Sequence, residues 1–374
     1  PMNTTRNSLI QLLNIAGVGP IFGPILGALY GPVAFVWIVI GCIFAGAVHD
    51  YLTGMISIRN HGAHLPQLAG KFLGKTMKHV VNGFAILLLL LVGTVFVTSP
   101  AALLANMTSL SLTLIILAIF AYYLIATLLP IDKVIGRIYP YFGALLLFSA
   151  AGIGIGLVVT GAPIPELSFQ NMHPDNAPIF PLLFLTISCG ALSGFHATQT
   201  PIISRTTENE TNGRKIFYGM MIAEGVIAMI WAAAAMSLFQ GEQSLSDVLA
   251  AGGPAAVVSE VSTTMLGAVG GTLAVLGVIV LPITSGDTAF RSARMIIADY
   301  LKVEQKPIVK RILIALPLFV ASYALTHMDF TLLWRYFSWA NQTTAVIALW
   351  TGTMYLVLSR KPYLITSIPA VFMT

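Results

Sequence analysis

The sequence predicts an all-α membrane protein, a bundle of apolar helices that cross the bilayer many times. Of its 374 residues, 57% are hydrophobic and only 9% are charged, and the mean hydropathy is +0.86. A soluble domain of this length needs roughly 25% charged residues to cover its surface. Apolar segments of about 20 residues, the length that crosses the hydrocarbon core, recur along the chain. These observations exclude a soluble enzyme or binding module.

Ten apolar segments are predicted to be transmembrane spans, at about 9–30, 32–58, 79–105, 110–129, 138–160, 177–201, 215–240, 265–290, 308–326 and 332–358. They are expected to be helices because a spanning segment must satisfy its backbone hydrogen bonds internally. We expect one transmembrane domain over residues 1–374, with a five-helix half at 8–160 and a second at 177–358. A further helix begins at 363–374, and a short interfacial helix is expected at 254–265. Because the chain starts at Pro1 and stops inside an apolar run, we expect it to be trimmed at both ends.

Basic residues are distributed as the positive-inside rule requires. If the ten spans alternate in direction, 18 of the 19 Lys and Arg residues lie on one side of the membrane, and only Arg335 lies on the other. This side is expected to be cytoplasmic and to hold the N-terminus of the chain. The connections at 163–178 and 241–254 contain no Lys or Arg and are expected to face outward. The bilayer and a small-molecule substrate are the expected partners, no nucleic acid is expected, and the oligomeric state stays open.

Span one contains the stretch "AGVGPIFGPILGALYG" (16–31), with five glycines and two prolines. Gly19, Gly23 and the later glycines recur every four residues, which is typical of a small-residue stripe that packs against a neighbouring helix. Prolines remove backbone donors and disfavour helix in the preceding residue. The alternative is therefore a discontinuous helix, in which backbone N–H groups around Gly17–Gly23 would receive the carboxylate of a substrate.

Span six carries a second interruption, "SCGALSGFHATQTPIIS" (188–204). Because spans one and six are five helices apart, the second half would lie inverted relative to the first. Two inverted halves that each open with a broken helix describe a common secondary-transporter architecture. The predicted substrate-binding residues of the two interruptions are Gly17, Gly19, Gly23, Gly190, Gly194, His196 and Gln199.

Ionisable residues inside apolar spans are costly and mark candidate proton carriers. Asp50 in span two follows His49, and because adjacent helical positions point about 100° apart, the two are not expected to pair. Asp50 is expected either to cap or pair with Arg59 near the cytoplasmic end, or to act as a proton or gate group. His196 in span six is expected to be either a satisfied core residue or a proton-coupling group, since imidazole titrates near neutral pH.

Span eight carries the third cluster, "PITSGDTAFRSAR" (282–294). Asp287 precedes Arg291 by four residues, which predicts a structural salt bridge. Alternatively, the hydroxyls of Thr284, Ser285 and Thr288 could coordinate a small cation with carbonyls freed in span one, or Asp287 could carry a proton. The coupling ion would be H⁺ or Na⁺, and no other cofactor and no metal are expected. Since the chain has no nucleotide-binding motif, active transport would have to use an ion gradient.

Three long blocks resemble the carbon-starvation protein A (CstA) family: "NIAGVGPIFGPILGALYGPVAFVWIVIGCIFAGAVHDYLTGMISIRNHGAHLPQL", "SCGALSGFHATQTPI" and "LPITSGDTAFRSARMIIAD". The resemblance implies an inner-membrane transporter associated with peptide uptake on starvation and, in related members, with proton-coupled pyruvate uptake. It also implies a fold similar to the amino acid–polyamine–cation superfamily. Longer members have two histidines before the Gly-rich break, where this chain reads Gln11, Leu12, Leu13 and Asn14, so it resembles a shorter branch.

The expected function is secondary active import of a small organic nutrient, a peptide or a carboxylate such as pyruvate, across the inner membrane. The alternative is a membrane-embedded nutrient sensor that binds without translocation. A metallohydrolase built on His49, Asp50 and His196 is disfavoured because the chain has no HExxH-type spacing, so we expect no catalytic residues and no enzyme activity.

Overall fold

The computed structural model describes residues 2–128, 131–240 and 244–374, excluding the side chains at 131–140 and 142. The last residue of predicted span four and the first residues of the predicted outward loop 241–254 lie outside this described part. Every regular element within it is helical, as the sequence predicts.

The first half of the chain forms α1 (Thr4–Ile15), α2 (Gly19–Gly27), α3 (Val33–Ile40), α4 (Ala47–Arg59), α5 (Leu65–Phe72), α6 (Lys75–Met107), α7 (Leu112–Leu128) and α8 (Ile131–Val159). The second half forms α9 (Phe184–Thr186), α10 (Gly194–Ser204), α11 (Gly219–Leu238), α12 (Leu245–Leu301), α13 (Ile308–Leu325), α14 (Phe330–Leu358) and α15 (Leu364–Met373). A π-helical segment, Gly41–Gly46, joins α3 to α4, so that Val33–Arg59 is one helical run.

In the described residues, five helical runs are long and apolar enough to cross a membrane: Val33–Arg59, Lys75–Met107, Glu210–Leu238, Leu245–Leu301 and Ile308–Leu325. A sixth is added if the bent pair Thr4–Ile15 and Gly19–Tyr30 forms one span. Shorter apolar helices lie at Leu112–Leu128, Gly143–Val159 and Leu364–Met373. The protein is therefore a multi-pass helical membrane protein by length and composition. The count of ten spans, the two five-helix halves and their inverted relation stay predictions.

Span one bends where its glycines and prolines are concentrated. Helix α1 ends at Ile15 and α2 begins at Gly19, and the two helical parts meet at an angle of 47°. The glycines of α2 also pack closely on span six: a Cβ on Gly19 would overlap Cys189, and one on Gly23 would lie 3.1 Å from the Thr186 carbonyl oxygen. Span one is therefore both bent and closely packed here, and a discontinuous helix that binds a substrate stays a prediction.

Span six is interrupted between α9 and α10. Its backbone turns at Gly190, where φ is +88°, and helix resumes only at Gly194. This interruption lies directly against the one in span one, because Gly190 faces Pro20 while Cys189 faces Gly19. The indole N–H of Trp37 donates to the Ile187 carbonyl at 3.0 Å and so fixes one end of the unwound segment.

Helix α12 combines the predicted short helix and predicted span eight in one long element. Its backbone leaves helical geometry at Gly253 (φ +64°) and Gly267 (φ +69°), so residues 254–266 form a separate helical piece. These bounds agree with the short helix expected at 254–265. Helix α12 packs mainly along α6, and its part after Gly267 runs past the end of α1.

Candidate functional site

Four ionisable side chains from three helices meet in a buried cluster beside the span-six interruption. Asp50 on α4 lies between two imidazoles, with Oδ1 at 2.7 Å from His49 Nδ1 and Oδ2 at 2.8 Å from His196 Nδ1. On the far side of His196, Nε2 lies 3.4 Å from Glu224 Oε2 on α11. All four residues are at most 1% exposed. We call these residues, His49, Asp50, His196 and Glu224, the buried relay.

Two sequence expectations for Asp50 are wrong. His49 and Asp50 do pair, because the imidazole reaches round to its neighbour's carboxylate although the two Cα–Cβ bonds diverge. Arg59 is not the partner of Asp50: its guanidinium donates to Glu210 at 3.0 and 3.1 Å and to the Tyr355 hydroxyl at 2.8 Å. The structure instead brings Asp50 together with His196.

Close backbone approach brings the relay together. A Cβ on Gly46 would overlap the Ala191 carbonyl, and one on Gly225 would overlap Cys42, so glycines let α4 and α11 approach the interruption and each other. Glu224 then accepts a hydrogen bond from the Gly190 N–H at 3.1 Å. Thus a buried carboxylate occupies the backbone donor of Gly190, one of the predicted substrate-binding residues.

Three atoms of the relay have no hydrogen-bond partner among the described residues: His49 Nε2, His196 Nε2 and Glu224 Oε2. Unpaired polar atoms in a buried site are costly, which makes them sites for water, a proton or a ligand. The arrangement therefore places three unpaired polar atoms within one buried cluster of ionisable side chains. The described residues contain no group of three or more His, Cys, Asp and Glu that could hold a metal ion.

The span-eight cluster is built around the expected salt bridge, with Asp287 Oδ2 at 2.8 Å from Arg291 Nη2. The Thr284 hydroxyl donates to Leu281 O in its own helix. The Ser285 hydroxyl instead donates to Leu13 O of α1 at 2.8 Å. Thr288 donates to the side-chain oxygen of Asn14 at 3.3 Å. Span eight therefore touches the last turn of α1, next to the bend, as a cation site there would require.

Gln199, a predicted substrate-binding residue, lies three residues after His196 in α10, and its amide approaches the Gln11 oxygen at 3.5 Å. Two further residues at the site, Glu224 and Asn341, were not predicted as site residues. Glu224 is an acid in an apolar span, and nothing in "EGVIAMI" marks it further as a site residue. Asn341 on α14 bonds the start of α10, as described below, and its polar neighbourhood in span ten was the only signal.

Carbon starvation protein CstA is the family whose sequence pattern matches this chain, over residues 9–108, 98–246 and 242–374. The chain belongs to this family. A Haemophilus influenzae protein described as an uncharacterized membrane protein is 52% identical over 306 residues, covering 67% of this chain and 82% of that protein. The peptide transporter CstA of Campylobacter jejuni is 29% identical over 58% of this chain. The pyruvate/proton symporter BtsT of Escherichia coli is 26% identical over 61% of this chain.

The match covers only 40% of the Campylobacter protein and 41% of the Escherichia coli protein. Membership of the CstA family, together with the apolar helices, supports a multi-pass inner-membrane protein of the transporter class. Peptide transport and pyruvate/proton symport are the activities in the names of these longer relatives.

Proposed function

We propose that this CstA-family chain is a secondary active transporter that imports a small organic nutrient, a peptide or a carboxylate such as pyruvate, with protons as the coupling ion. The names of two relatives support the two substrate classes. The observation that carries the proposal is the buried relay, four ionisable side chains in contact across α4, α10 and α11.

A proton added to the relay changes the charge of a site that water does not screen. Such a change has a large effect on which neighbouring groups attract each other. Because the four side chains sit on three different helices, protonation changes the forces between those helices. The relay is thus suited to bias an equilibrium between two helix arrangements, which is what coupling to a proton gradient needs.

Glu224 links the proton to the substrate in this proposal. Its carboxylate accepts the Gly190 N–H in the described state. Protonation of Glu224 weakens this bond, since a neutral carboxyl is a poorer acceptor than a carboxylate. The Gly190 N–H then becomes available to the carboxylate of the substrate.

Uptake into proteoliposomes tests the proposed function. Labelled dipeptide and labelled pyruvate are compared under an imposed proton gradient and, separately, under a sodium gradient with no proton gradient. We expect the proton gradient alone to drive accumulation of at least one of them. Accumulation driven only by sodium would shift the coupling site to Thr284, Ser285 and Thr288. Binding without uptake would favour the sensor alternative.

Neutral replacements of the relay carboxylates should separate binding from coupling. Asp50→Asn and Glu224→Gln keep the size of the side chain but fix its charge, so both should lose proton-driven accumulation. Counterflow exchange of labelled against unlabelled substrate, which needs no gradient, should persist in Glu224→Gln. The matched control is Glu208→Gln, at an exposed carboxylate, which should accumulate substrate like the wild type. Proton-driven accumulation by both relay variants would exclude the relay as the coupling site.

A further inference from the structure

We infer that Asn341 on α14 is a positioning residue that holds the span-six interruption in the geometry required by the buried relay. Its effect on uptake rests on the proposed function. Its effect on the structure of the interruption does not.

Helix α10 has no side-chain cap from the residue that precedes it. Its N-cap residue Ser193 makes no side-chain bond to the first turn. Instead Asn341, from a helix almost 150 residues away, accepts the Phe195 N–H at 2.8 Å with Oδ1. The same amide lies 3.1 and 3.2 Å from the Ser193 hydroxyl. Asn341 is fully buried, so water does not replace these bonds.

The next residue of α14 bonds the other part of the interruption. Gln342 Nε2 donates to the Leu192 carbonyl at 3.0 Å and to the Phe184 carbonyl at 3.3 Å. Gly194 has no room for a Cβ beside the backbone of Asn341 and Ala345, so α10 begins in direct contact with α14. Helix α14 therefore satisfies backbone groups on both sides of the gap.

The capped residue stands next to the relay in the chain. Phe195 precedes His196, whose Nδ1 must lie within hydrogen-bond distance of Asp50. Loss of the Asn341 cap frees the first turn of α10 and lets both His196 and the Gly190 segment move. Asn341 touches no relay side chain in the described contacts, so it acts on the relay only through the backbone of α10.

Alkylation of Cys189 reports the state of the interruption without any transport. This thiol lies in the unwound segment, with Sγ at 3.8 Å from Asn341 Nδ2, and is buried against Gly19. Cys42 is the second cysteine of the chain, and replacing it by Ser keeps the donor to the Met221 carbonyl. In this Cys42→Ser background, the rate of reaction with N-ethylmaleimide in membranes measures how often the interruption opens. Full labelling after denaturation in SDS confirms that the thiol is intact.

Three variants are compared. Asn341→Leu removes the cap and should raise the alkylation rate about tenfold, the change expected for loss of a helix N-cap. Asn341→Asp keeps the acceptor oxygens at a helix N-terminus, where negative charge is favourable, and should react within about twofold of the background. Thr343→Val is the matched control, since the half-buried Thr343 bonds only within α14 in the described contacts. An Asn341→Leu rate equal to that of Thr343→Val would overturn the inference.

The same variants in the uptake assay test positioning of the relay. Asn341→Leu should shift the pH dependence of uptake, and Asn341→Asp should restore the wild-type profile. An unchanged profile in Asn341→Leu, with uptake lowered equally at every pH, would show a purely structural role and overturn the inference. If the wild type shows no uptake at all, the proposed function fails, and the alkylation result still decides whether Asn341 holds the interruption.

Discussion

At the scale of single residues, Gly190 has a backbone conformation and a close contact that disfavour any other residue type. Its φ of +88° lies in the left-handed region, and a Cβ would lie 2.5 Å from the Cβ of Ala228 on α11. A left-handed conformation costs other residues about 1–2 kcal/mol. Overpacking a core typically adds about 1–3 kcal/mol.

Gly190→Ala should therefore destabilise the protein by about 2–5 kcal/mol, the sum of the strain and overpacking terms. Thermal unfolding in detergent, followed by size-exclusion chromatography, measures the loss. The control is Gly83→Ala, because nothing lies within 4 Å of a Cβ at Gly83 on α6. This exposed helical position should gain roughly 0.5–1 kcal/mol. Equal stability of the two variants would mean that the interruption tolerates a side chain.

The contact between Asp287 and Arg291 favours a structural salt bridge over a proton-carrying role for Asp287. Both side chains are at most 6% exposed, so removal of one partner leaves a buried charge uncompensated. Asp287→Asn should cost about 3–5 kcal/mol of stability. The double variant Asp287→Leu/Arg291→Met should recover most of it, because the unpaired charge is gone. We expect Asp287→Asn to keep proton-driven uptake with an unchanged pH profile. Loss of proton dependence with unchanged stability would instead make Asp287 a coupling group.

The sequence identified Asp50 and His196 for a sound physical reason, since ionisable groups in apolar helices need partners. It did not identify those partners. Asp50 and His196 are 146 positions apart, and only the folded arrangement of α4 and α10 joins them. Glu224 and Asn341 were not predicted as site residues for the same reason, because each bonds the backbone of a distant segment.

At the scale of elements, the glycine and proline patterns include the irregular backbone at 16–18 and 187–193, but Pro24 and Pro201 lie inside helices α2 and α10. The bend at 16–18 follows from prolines preceded by glycines, whose local effect needs no knowledge of the fold. The length of the gap between α9 and α10 could not be read in this way, since Trp37, Asn341 and Gln342 hold it open from other helices. The burial of His64 in the turn between α4 and α5 could likewise not be predicted from the sequence.

His64 makes the connection between α4 and α5 sensitive to pH. Burial, and then the charge of Arg205, lowers the pKa of His64 from its ordinary value of 6.5 to about 3. The ring Nε2 lies 3.2 Å from the Arg205 guanidinium and 3.7 Å from the carboxylate of Asp299. That carboxylate is 46% exposed, so solvent screens its attraction for a protonated ring.

Because the folded ring stays neutral while the unfolded ring takes up a proton, the contribution of His64 to stability is lost as pH falls below 6.5. The expected loss approaches about 1.4 kcal/mol per pH unit. Unfolding temperatures between pH 7.5 and 5.5 should show this loss in the wild type and a flatter dependence in His64→Gln. His61→Asn, at an exposed position with φ +57°, is the control that keeps the wild-type slope. Identical slopes in the wild type and His64→Gln would exclude His64 as the sensor.

At the scale of the whole molecule, the number of membrane crossings decides whether the two interruptions belong to inverted halves. Five helical runs satisfy the length and apolarity of a span in the described residues, and a bent pair adds a sixth. Shorter or more polar helices such as α7 and α14 fall outside that group, and α14 carries Asn341 and Gln342. Polar residues lower the hydropathy of the helix that carries them, so a count by length and composition leaves α14 out.

The distribution of basic residues predicts which connections lie on the same side of the membrane, and cysteine labelling can test this. Four single cysteines are placed at exposed positions in a background without Cys42 and Cys189: Lys75→Cys, Gln170→Cys, His327→Cys and Lys361→Cys. Spans three to five separate 75 from 170, spans six to nine separate 170 from 327, and span ten separates 327 from 361. Ten alternating spans therefore place 170 and 327 outside and 75 and 361 in the cytoplasm.

A membrane-impermeant maleimide should label Gln170→Cys and His327→Cys in spheroplasts, and the other two only after permeabilisation. Opposite sides for 170 and 327 would mean an odd number of crossings between them, and the inverted-repeat proposal would fail. The same side for 170 and 75 would remove a crossing from the first half. If all four positions behave as expected, and spans one and two each cross once, spans one and six enter the membrane from opposite faces. The two interruptions that meet at Gly19 and Cys189 then approach each other with opposite polarity.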